Sequence, residues 1–477
     1  MSEIIVGLEV HCQLNTKSKL FCSCSTDYRS DGPNTHVCPV CLGLPGTMPM
    51  VNKKAIEYAL KVAKALNCTV REESEFSRKN YFYPDLNKAY QITQYDKPLA
   101  EKGRVTIEGE DGTEKEIRIT RVHVEEDPGR LVHMGGVDRA KYSLVDYNRA
   151  GIPLIEIVSE PDMRSPKEAR RFLNKLRATL EYLAVFDSEK EGSLRVDANI
   201  SIKGSERVEV KNITSYKGVE KALTFEITRQ KNLLRRGLAV ERETRHFQEG
   251  RGVTTSSRSK ELENDYRYFP EPDLRPLRVR DWLEKIELPE LPDARRERFM
   301  AQYGCSLNHA RTLTGDLRLA DFYEKVIAAK ADPVLAATWV ADTLIGELNY
   351  RDMGIGNLSP EYFAELVQLL KEEAITDKSG IEILRAILDA VKENRLPESP
   401  KYLVGKLNLG KTGGSAFAAE ITEVIAANAK AVEDYRAGRK EALNFLVGQV
   451  MKKTRGRADP GELNRLMQEA LGEEPGK

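Results

Sequence analysis

VDYNRAGIPLIEIVSEPD, residues 145–162, is the stretch that decides how this chain folds. Its apolar run is short and rich in β-branched residues, which predicts a buried strand covered on both faces. Glu156 interrupts that run. A carboxylate among apolar neighbours is costly unless a cation or several hydrogen-bond donors meet it. Glu156 is therefore either a ligand of a metal or substrate, or half of a structural ion pair with a residue such as Arg149.

The N-terminal segment offers two further polar groups. From Ile4 to His11 apolar residues alternate with others, which predicts a strand with Glu9 and His11 on one face. A carboxylate and an imidazole at this spacing can share a divalent cation, Mg²⁺ or a transition metal. An exposed polar strand face explains the same alternation.

Three adjacent acids end another predicted strand. Glu125, Glu126 and Asp127 follow Val124 and precede a Pro-Gly turn. Adjacent carboxylates repel one another unless a cation intervenes or solvent screens them. Metal binding and a surface turn both remain open for this segment.

The cysteines favour a metal site over a disulfide scaffold. Of the seven in 477 residues, five precede residue 42. Cys22-x-Cys24 and Cys38-Pro-Val-Cys41 are separated by a loop of thirteen residues, which is typical of a tetrahedral, structural zinc site. The first pair is closer than usual, so Cys12 is a possible substitute. Reduced free thiols or a redox pair are the alternative.

The segment from residue 77 to 96 mixes basic and aromatic side chains. Arg78, Lys79 and Tyr81 belong to it, and this combination suits phosphates and stacked bases. A tyrosine-rich turn packed on a sheet explains it equally well. Lys452, Lys453, Arg455 and Arg457 form the strongest local positive patch, although solvated cations at a helix end are common.

Composition limits the classes of function. Lys plus Arg and Asp plus Glu are equal at 74 each, so no overall field favours nucleic acid. No apolar run reaches membrane-spanning length and the N-terminus lacks a basic start, so we expect a cytoplasmic protein without membrane contact. From Pro292 onward helical periodicity replaces the mixed pattern, and a loop-like stretch lies near residues 396–415.

Gly405 to Thr412 matches the P-loop pattern G-x₄-G-K-[ST], which would cradle phosphates. Its surroundings are helical and the preceding apolar stretch is too short for a strand. The pattern therefore does not favour a nucleotide site at Lys411.

Several longer motifs resemble one family in order along the chain. They are GLEVH, RKNYFYPD, HVEEDPG, VDYNRAGIPLIEIVSEPD, EGSLRVDANIS, YRYFPEPD and FLVGQVMKKTRGRADP. Together they resemble the GatB family, whose members are components of tRNA-dependent amidotransferases. The resemblance covers nearly the whole chain.

The resemblance implies a ligase chemistry. A GatB protein would transfer the ATP γ-phosphate to the side-chain carboxylate of Glu or Asp on misacylated tRNA, with Mg²⁺ as cofactor. Ammonia from a GatA amidase would then displace phosphate, in a complex that includes GatC. By resemblance the Mg²⁺ and catalytic site comprises Glu9, His11, Glu125, Glu126 and Glu156. Asn148, Arg149 and Arg195 join Arg78, Lys79 and Tyr81 as candidates for substrate or nucleotide contact.

The expected fold class is α+β. A large mixed α/β cradle domain with a Cys-rich zinc knuckle near residues 12–41 would occupy residues 1–292. An all-helical domain would span 293–400, and a linker with a small helical tail domain would span 401–477. The resemblance places the tRNA acceptor end at the cradle and the tRNA body at the tail. A zinc-containing tRNA-binding scaffold without catalysis is the competing hypothesis.

Overall fold

The structure is a computed structural model that describes residues 3–134, 141–190, 192–259, 266–411, 417–454 and 460–472. The side chains of residues 257–260 and 455–460 are outside this description. The chain forms two compact units, Met1–Pro292 and Asp293–Lys477. Each is described by itself.

The first unit is built on a nine-stranded sheet of the described residues. Its order is β14-β13-β12-β11-β1-β10-β7-β6-β2. These strands are β1 Ile4–Gln13, β2 Thr69–Val70, β6 Ala100–Glu108, β7 Glu114–Glu126, β10 Pro153–Ser159, β11 Leu194–Ile202, β12 Val208–Ile213, β13 Glu243–Gln248 and β14 Val253–Ser259. All neighbouring pairs are antiparallel except β12 with β13, which are parallel.

Shorter strands form three small sheets. β15 (Phe269–Pro270), β4 (Ser77–Asn80) and β5 (Tyr90–Thr93) make one of them. β16 (Leu277–Arg278) pairs with β3 (Glu73–Ser74), and β8 (Arg130–His133) pairs with β9 (Ser143–Asp146).

The predicted buried strand is confirmed as β10, in the middle of the large sheet between β1 and β7. Six of its residues are buried, and Val158 is half-buried. Its odd-numbered residues Ile155 and Ile157 face the hydrophobic core, so alternation turns Glu156 to the opposite face. The central position explains why the run is almost continuously apolar, because the strand is covered on both faces.

Helices cover the apolar face of this sheet. The helices of the first unit are α1 Pro39–Leu42, α2 Lys53–Ala65, α3 Pro166–Tyr182, α4 Tyr216–Arg235 and α5 Arg280–Glu284. α3 begins as its sequence predicts, because the Ser165 hydroxyl accepts a hydrogen bond from the Glu168 amide and Pro166 occupies the first helical position. Phe172, Leu173 and Leu176 of α3 are buried in the same core as β1.

The second unit is helical throughout its described residues. Its helices are α6 Pro292–Tyr303, α7 Leu307–Thr314, α8 Leu317–Ala328, α9 Pro333–Thr338, α10 Ile345–Arg351, α11 Pro360–Lys371, α12 Asp377–Lys392, α13 Pro400–Lys406, α14 Ala418–Ala427, α15 Ala429–Arg436, α16 Glu441–Lys453 and α17 Pro460–Leu471. Trp339–Leu344 is π-helical between α9 and α10. Leu446, Val450 and Leu463 belong to a separate hydrophobic cluster of the last four helices.

One sequence expectation for this unit is wrong. The loop-like stretch at residues 396–415 contains α13, whose start is capped by Ser399 and whose Pro400 occupies the first helical position. Gly405 lies within α13 and Lys411 donates to Glu373 at 2.8 Å, whereas a P-loop requires a loop between a strand and a helix. Thr412 lies outside the described residues.

The mixed unit followed by a helical unit confirms the expected α+β class. The division of the second unit into a helical domain and a tail domain stays a prediction. Among the described helices, none is both long and apolar enough to cross a membrane.

Candidate active site

The polar face of the large sheet forms the floor of a cleft of about 820 Å³. Side chains from β1, β7, β10, β11 and β12 line it, and Lys79, Tyr266 and Tyr268 line it from the segments that contribute β4 and β15. Alternation on five neighbouring strands therefore gathers polar residues that lie far apart in the sequence.

Two imidazoles flank one carboxylate at the centre of this floor. Glu156 is the register partner of His11 on β1 and of His123 on β7. The Glu156 Oε2 atom lies 3.4 Å from His11 Nε2 and 3.2 Å from His123 Nε2. Glu125 joins them, with its Oε1 atom 3.8 Å from His11 Nε2. We call these four residues the histidine–glutamate cluster.

The electrostatics of this cluster keep both glutamates ionised. Burial opposes ionisation of Glu156, but the His123 and His11 imidazoles outweigh it and hold its pKa well below the usual value. Burial likewise opposes protonation of His11, but Glu156 and Glu125 raise the pKa of His11 to about 9. The Thr93 hydroxyl donates to Glu125 Oε2 at 3.1 Å and helps to orient that carboxylate.

This cluster can hold a metal ion. His11, Glu125 and Glu156 each offer one ligand atom, and these atoms lie within 4.8 Å of one another. An imidazole and two carboxylates form a donor set for divalent cations. The expectation that His11, Glu125 and Glu156 lie together thus agrees with the geometry, although their role stays a prediction.

A second group of acids occupies the adjoining strands, and we call it the acidic cluster. Glu9, Asp197 and Glu209 offer oxygen atoms within 4.8 Å of one another. Lys211 Nζ lies 2.6 Å from Asp197 and 3.4 Å from Glu209, and the Asn199 amide donates to Glu9 at 2.9 Å. Burial is the main cause that raises the pKa of Glu9, and the nearby Glu156 raises it further. Glu9 therefore belongs to the same cleft but to a different cluster from His11.

Glu126 does not join either cluster. It is the last residue of β7 and follows Glu125 directly, so alternation turns its side chain to the other face of the sheet. There it pairs with Lys88 and accepts a hydrogen bond from the Ile92 amide at 2.8 Å. The inclusion of Glu126 in the metal site is therefore wrong.

An aromatic wall stands over the histidine–glutamate end of the cleft. Tyr95 and Tyr268 stack with their ring centroids 4.0 Å apart, and Tyr266 meets Tyr268 edge to face. Lys79 Nζ lies 4.7 Å from the centroid of the Tyr266 ring. The buried Lys79 keeps a raised pKa, because Tyr268 and Glu125 offset the opposing effect of burial. Its charge is thus retained beside the carboxylates.

The cysteine cluster has the geometry of a metal site. The sulfur atoms of Cys22, Cys24, Cys38 and Cys41 lie within 4.8 Å of one another. A hydrogen bond from the Cys22 thiol is the largest cause that lowers the pKa of Cys41 to about 4. The cluster could therefore bind a metal ion. Cys12 is buried in β1 and belongs to the hydrophobic core, so the suggested substitution by Cys12 is wrong.

Comparisons with known proteins agree with the motifs. A family model described as the GatB/GatE catalytic domain matches residues 4–284, and one described as the GatB domain matches residues 321–471. The chain belongs to the GatB family. It is 74% identical to the GatB component of the aspartyl/glutamyl-tRNA(Asn/Gln) amidotransferase of Methanospirillum hungatei and 73% identical to that of Methanoregula boonei, over 98% of each chain. Identity to the same component from Methanococcoides burtonii is 55%, again over 98% of each chain.

Of the further candidates in this GatB chain, Lys79 alone lines the cleft. Tyr81 meets Tyr266 edge to face, with the ring centroids 6.0 Å apart. Arg78 donates twice to Glu271 at 2.7 Å and thereby ties β4 to the segment after β15. Its contacts are structural.

The Asn-Arg pair also has structural contacts. The Asn148 amide oxygen accepts from the His36 backbone at 2.8 Å, and its nitrogen donates to the Gly32 carbonyl. Arg149 lies 3.6 Å from Asp127 instead of pairing with Glu156, so the ion-pair alternative for Glu156 is wrong in its choice of partner. Arg195 also binds Asp127, at 2.6 Å.

The proposed tRNA contacts are only partly described. Lys452 and Lys453 are exposed near the end of α16, and Lys453 pairs with Glu423. Arg455 and Arg457 lie outside the described residues.

Two members of the site were not predicted from the sequence. His123 stands in a quoted motif, and its alternation with Glu125 would have placed both on one face. Glu209 carries no such local signal, because only the pairing of β12 with β11 brings it beside Asp197.

Proposed function

We propose that this chain is the activating component of a tRNA-dependent amidotransferase. Its cleft would transfer the ATP γ-phosphate to the side-chain carboxylate of Glu or Asp on misacylated tRNA. The observation that carries this proposal is the histidine–glutamate cluster in the floor of a large cleft, within a chain that matches named GatB proteins over nearly its full length.

The donor set fits a divalent ion such as Mg²⁺. His11, Glu125 and Glu156 would hold it, because their ligand atoms are already close together and two of the residues are buried. When bound, the ion would neutralise phosphate charge and so favour phosphoryl transfer. Glu9 and its neighbours would supply further negative charge beside it.

The chain's own residues have separate tasks in this proposal. His123 orients Glu156 through a contact of 3.2 Å, and Thr93 orients Glu125. Lys79 would hold an anionic group of either substrate, since no described carboxylate lies within 4 Å of its ammonium group. The Tyr266 and Tyr268 rings would shield the reacting groups from water and so strengthen these charge interactions.

The acyl phosphate formed in this way requires an amine to complete the reaction. Ammonia would attack its carbonyl carbon and phosphate would leave, giving the amide on the tRNA. We assign the release of ammonia from glutamine to a partner amidase, GatA, and assembly with it to a complex that includes GatC. The complex would act in the cytoplasm.

The other sites fit supporting roles. Four thiolates close a tetrahedral coordination sphere, so the ion held by Cys22, Cys24, Cys38 and Cys41 would be a structural Zn²⁺. The acceptor end of the tRNA would enter the cleft, and the tail near Lys452, Lys453, Arg455 and Arg457 would meet the tRNA body. The cradle, helical and tail domains would correspond to residues 1–292, 293–400 and 401–477.

Transfer of labelled γ-phosphate to Glu-tRNA by the reconstituted complex tests the proposal. Glu125→Gln and Glu156→Gln should each reduce it at least about 100-fold, because they remove charge that meets the metal. Glu116→Gln is the matched control, since Glu116 is on β7 but exposed. Full activity in both site variants would favour the scaffold hypothesis, and loss only in Lys411→Ala would favour the P-loop.

A further inference from the structure

The far end of the cleft carries two arginines that the proposed reaction does not use. Arg207 and Arg242 both line the cleft, and both are exposed. Each stands immediately before a strand, Arg207 before β12 and Arg242 before β13. They lie beside the acidic cluster, at the opposite side of the floor from Glu125 and the aromatic wall.

The register of the sheet puts these two arginines at equivalent positions. β12 and β13 are the parallel pair of the large sheet, with Glu209 opposite Thr244. Arg207 precedes Glu209 by two residues, and Arg242 precedes Thr244 by two. Residues two apart share a strand face, and adjacent strands lie about 4.8 Å apart. The two guanidinium groups therefore extend from neighbouring strands toward the same part of the cleft.

The positive charges are not neutralised within the described protein. No described carboxylate lies within 4 Å of either guanidinium group, whereas Lys211 on the same strand is paired with Asp197 and Glu209. Like charges at paired strand positions destabilise a sheet. A bound anion between the two arginines would remove that cost and would accept hydrogen bonds from both.

We propose that Arg207 and Arg242 form a phosphate-binding subsite. It rests on the proposed function, because that function brings two phosphate-bearing substrates to this cleft. Phosphate oxygens match the planar guanidinium fork, and the acids of the cleft floor would repel an anion that had no such anchor. The phosphate belongs either to the polyphosphate chain of ATP or to the backbone of the tRNA 3′ end.

The open position of the subsite sets the expected effect. An exposed charge-assisted contact contributes less than a buried one, so each Arg→Ala change should weaken binding about ten-fold, and more steeply as salt is lowered. Arg207→Lys and Arg242→Lys should retain most of the binding at low salt, because the charge remains.

The test uses the full chain in its amidotransferase complex. Binding of a non-hydrolysable ATP analogue and of deacylated substrate tRNA is measured separately for the wild type, Arg207→Ala, Arg242→Ala and the double variant. Arg236→Ala is the matched control, since Arg236 is an exposed arginine that follows α4 and does not line the cleft. Thermal unfolding of each variant checks the fold.

The outcomes separate the two sources and the two proposals. Weaker binding of the ATP analogue alone assigns the subsite to the nucleotide, and weaker binding of tRNA alone assigns it to the 3′ end. Binding of both ligands as strong as in Arg236→Ala overturns the subsite. A wild-type complex that transfers no phosphate, but whose binding still depends on the arginines, overturns the proposed function and leaves the subsite intact.

Discussion

Glu156 and His11 are direct register partners on β10 and β1, with the Glu156 Oε2 atom 3.4 Å from His11 Nε2. On the other side of β10, His123 holds the same relation to Glu156. The position of one carboxylate is thus fixed by two neighbouring strands in the centre of the sheet. Such a site is rigid, which favours a function that depends on precise positions of charge.

His123→Ala should weaken divalent metal binding by about 10–100-fold, because a residue that orients a ligand supports its affinity. The imidazole is almost completely buried and lies 3.2 Å from Glu156 Oε2. Calorimetric titration with Mg²⁺ measures the effect. His133→Ala is the control, since His133 is on β8 and contacts Ser143. Equal metal affinity in His123→Ala and the wild type would remove its positioning role.

Glu126→Ala should reduce stability and leave the metal site largely intact, since Glu126 faces away from it. Its partner Lys88 is only 10% exposed, so the change leaves a buried charge unpaired and costs about 3–5 kcal/mol. Thermal unfolding measures the loss. The double variant Glu126→Gln, Lys88→Met should recover part of it, because no unpaired charge remains. If Glu126→Ala instead abolished Mg²⁺ binding at unchanged stability, its placement on the opposite face would be refuted.

The purified chain should contain one zinc ion, and Cys38→Ser or Cys41→Ser should lose it. The Cys41 carbonyl accepts a hydrogen bond from Asn87, so loss of the metal should also loosen this part of the first unit. Elemental analysis and thermal unfolding measure the two effects. Cys68→Ser is the control, because Cys68 lies outside the cluster. Zinc-free wild-type protein with Cys38 and Cys41 readily alkylated would contradict the assignment.

Local patterns were sufficient for much of the fold. The strand around Ile155 and the helix that begins at Pro166 follow from apolar spacing and from a helix cap, which act over a few residues. The loop expected near residue 400 was wrong, because Ser399 and Pro400 start a short helix there. Both residues are helix-start signals, and they outweigh the nearby glycines that favour a loop.

The site was less accessible than the fold. Alternation alone separates Glu125 from Glu126, so the sequence already excluded their convergence on one ion. The proximity of Asp197 to Glu209 was different in kind. It depends on the pairing of β11 with β12, and a register shift between Val196 and Ala198 alters that pairing. No local pattern determines such a register.

Lys211 makes the last prediction possible, because its ammonium group lies among three carboxylates. It is 2.6 Å from Asp197 and 3.4 Å from Glu209, and its own pKa is raised, since these acids outweigh the effect of burial. Lys211→Met leaves Glu9, Asp197 and Glu209 without this cation. Mutual repulsion should then lower stability, and divalent ions should restore it.

Thermal unfolding with and without Mg²⁺ measures that rescue. The unfolding temperature of Lys211→Met should rise with Mg²⁺ more than that of the wild type, in which Lys211 already neutralises the acids. Lys203→Met is the control, because Lys203 pairs with the exposed Glu3 away from the cleft. An equal Mg²⁺ response in Lys211→Met and Lys203→Met would show that the three acids do not act as one cation-binding group. In that case Lys211 would serve only to pair β12 with β11.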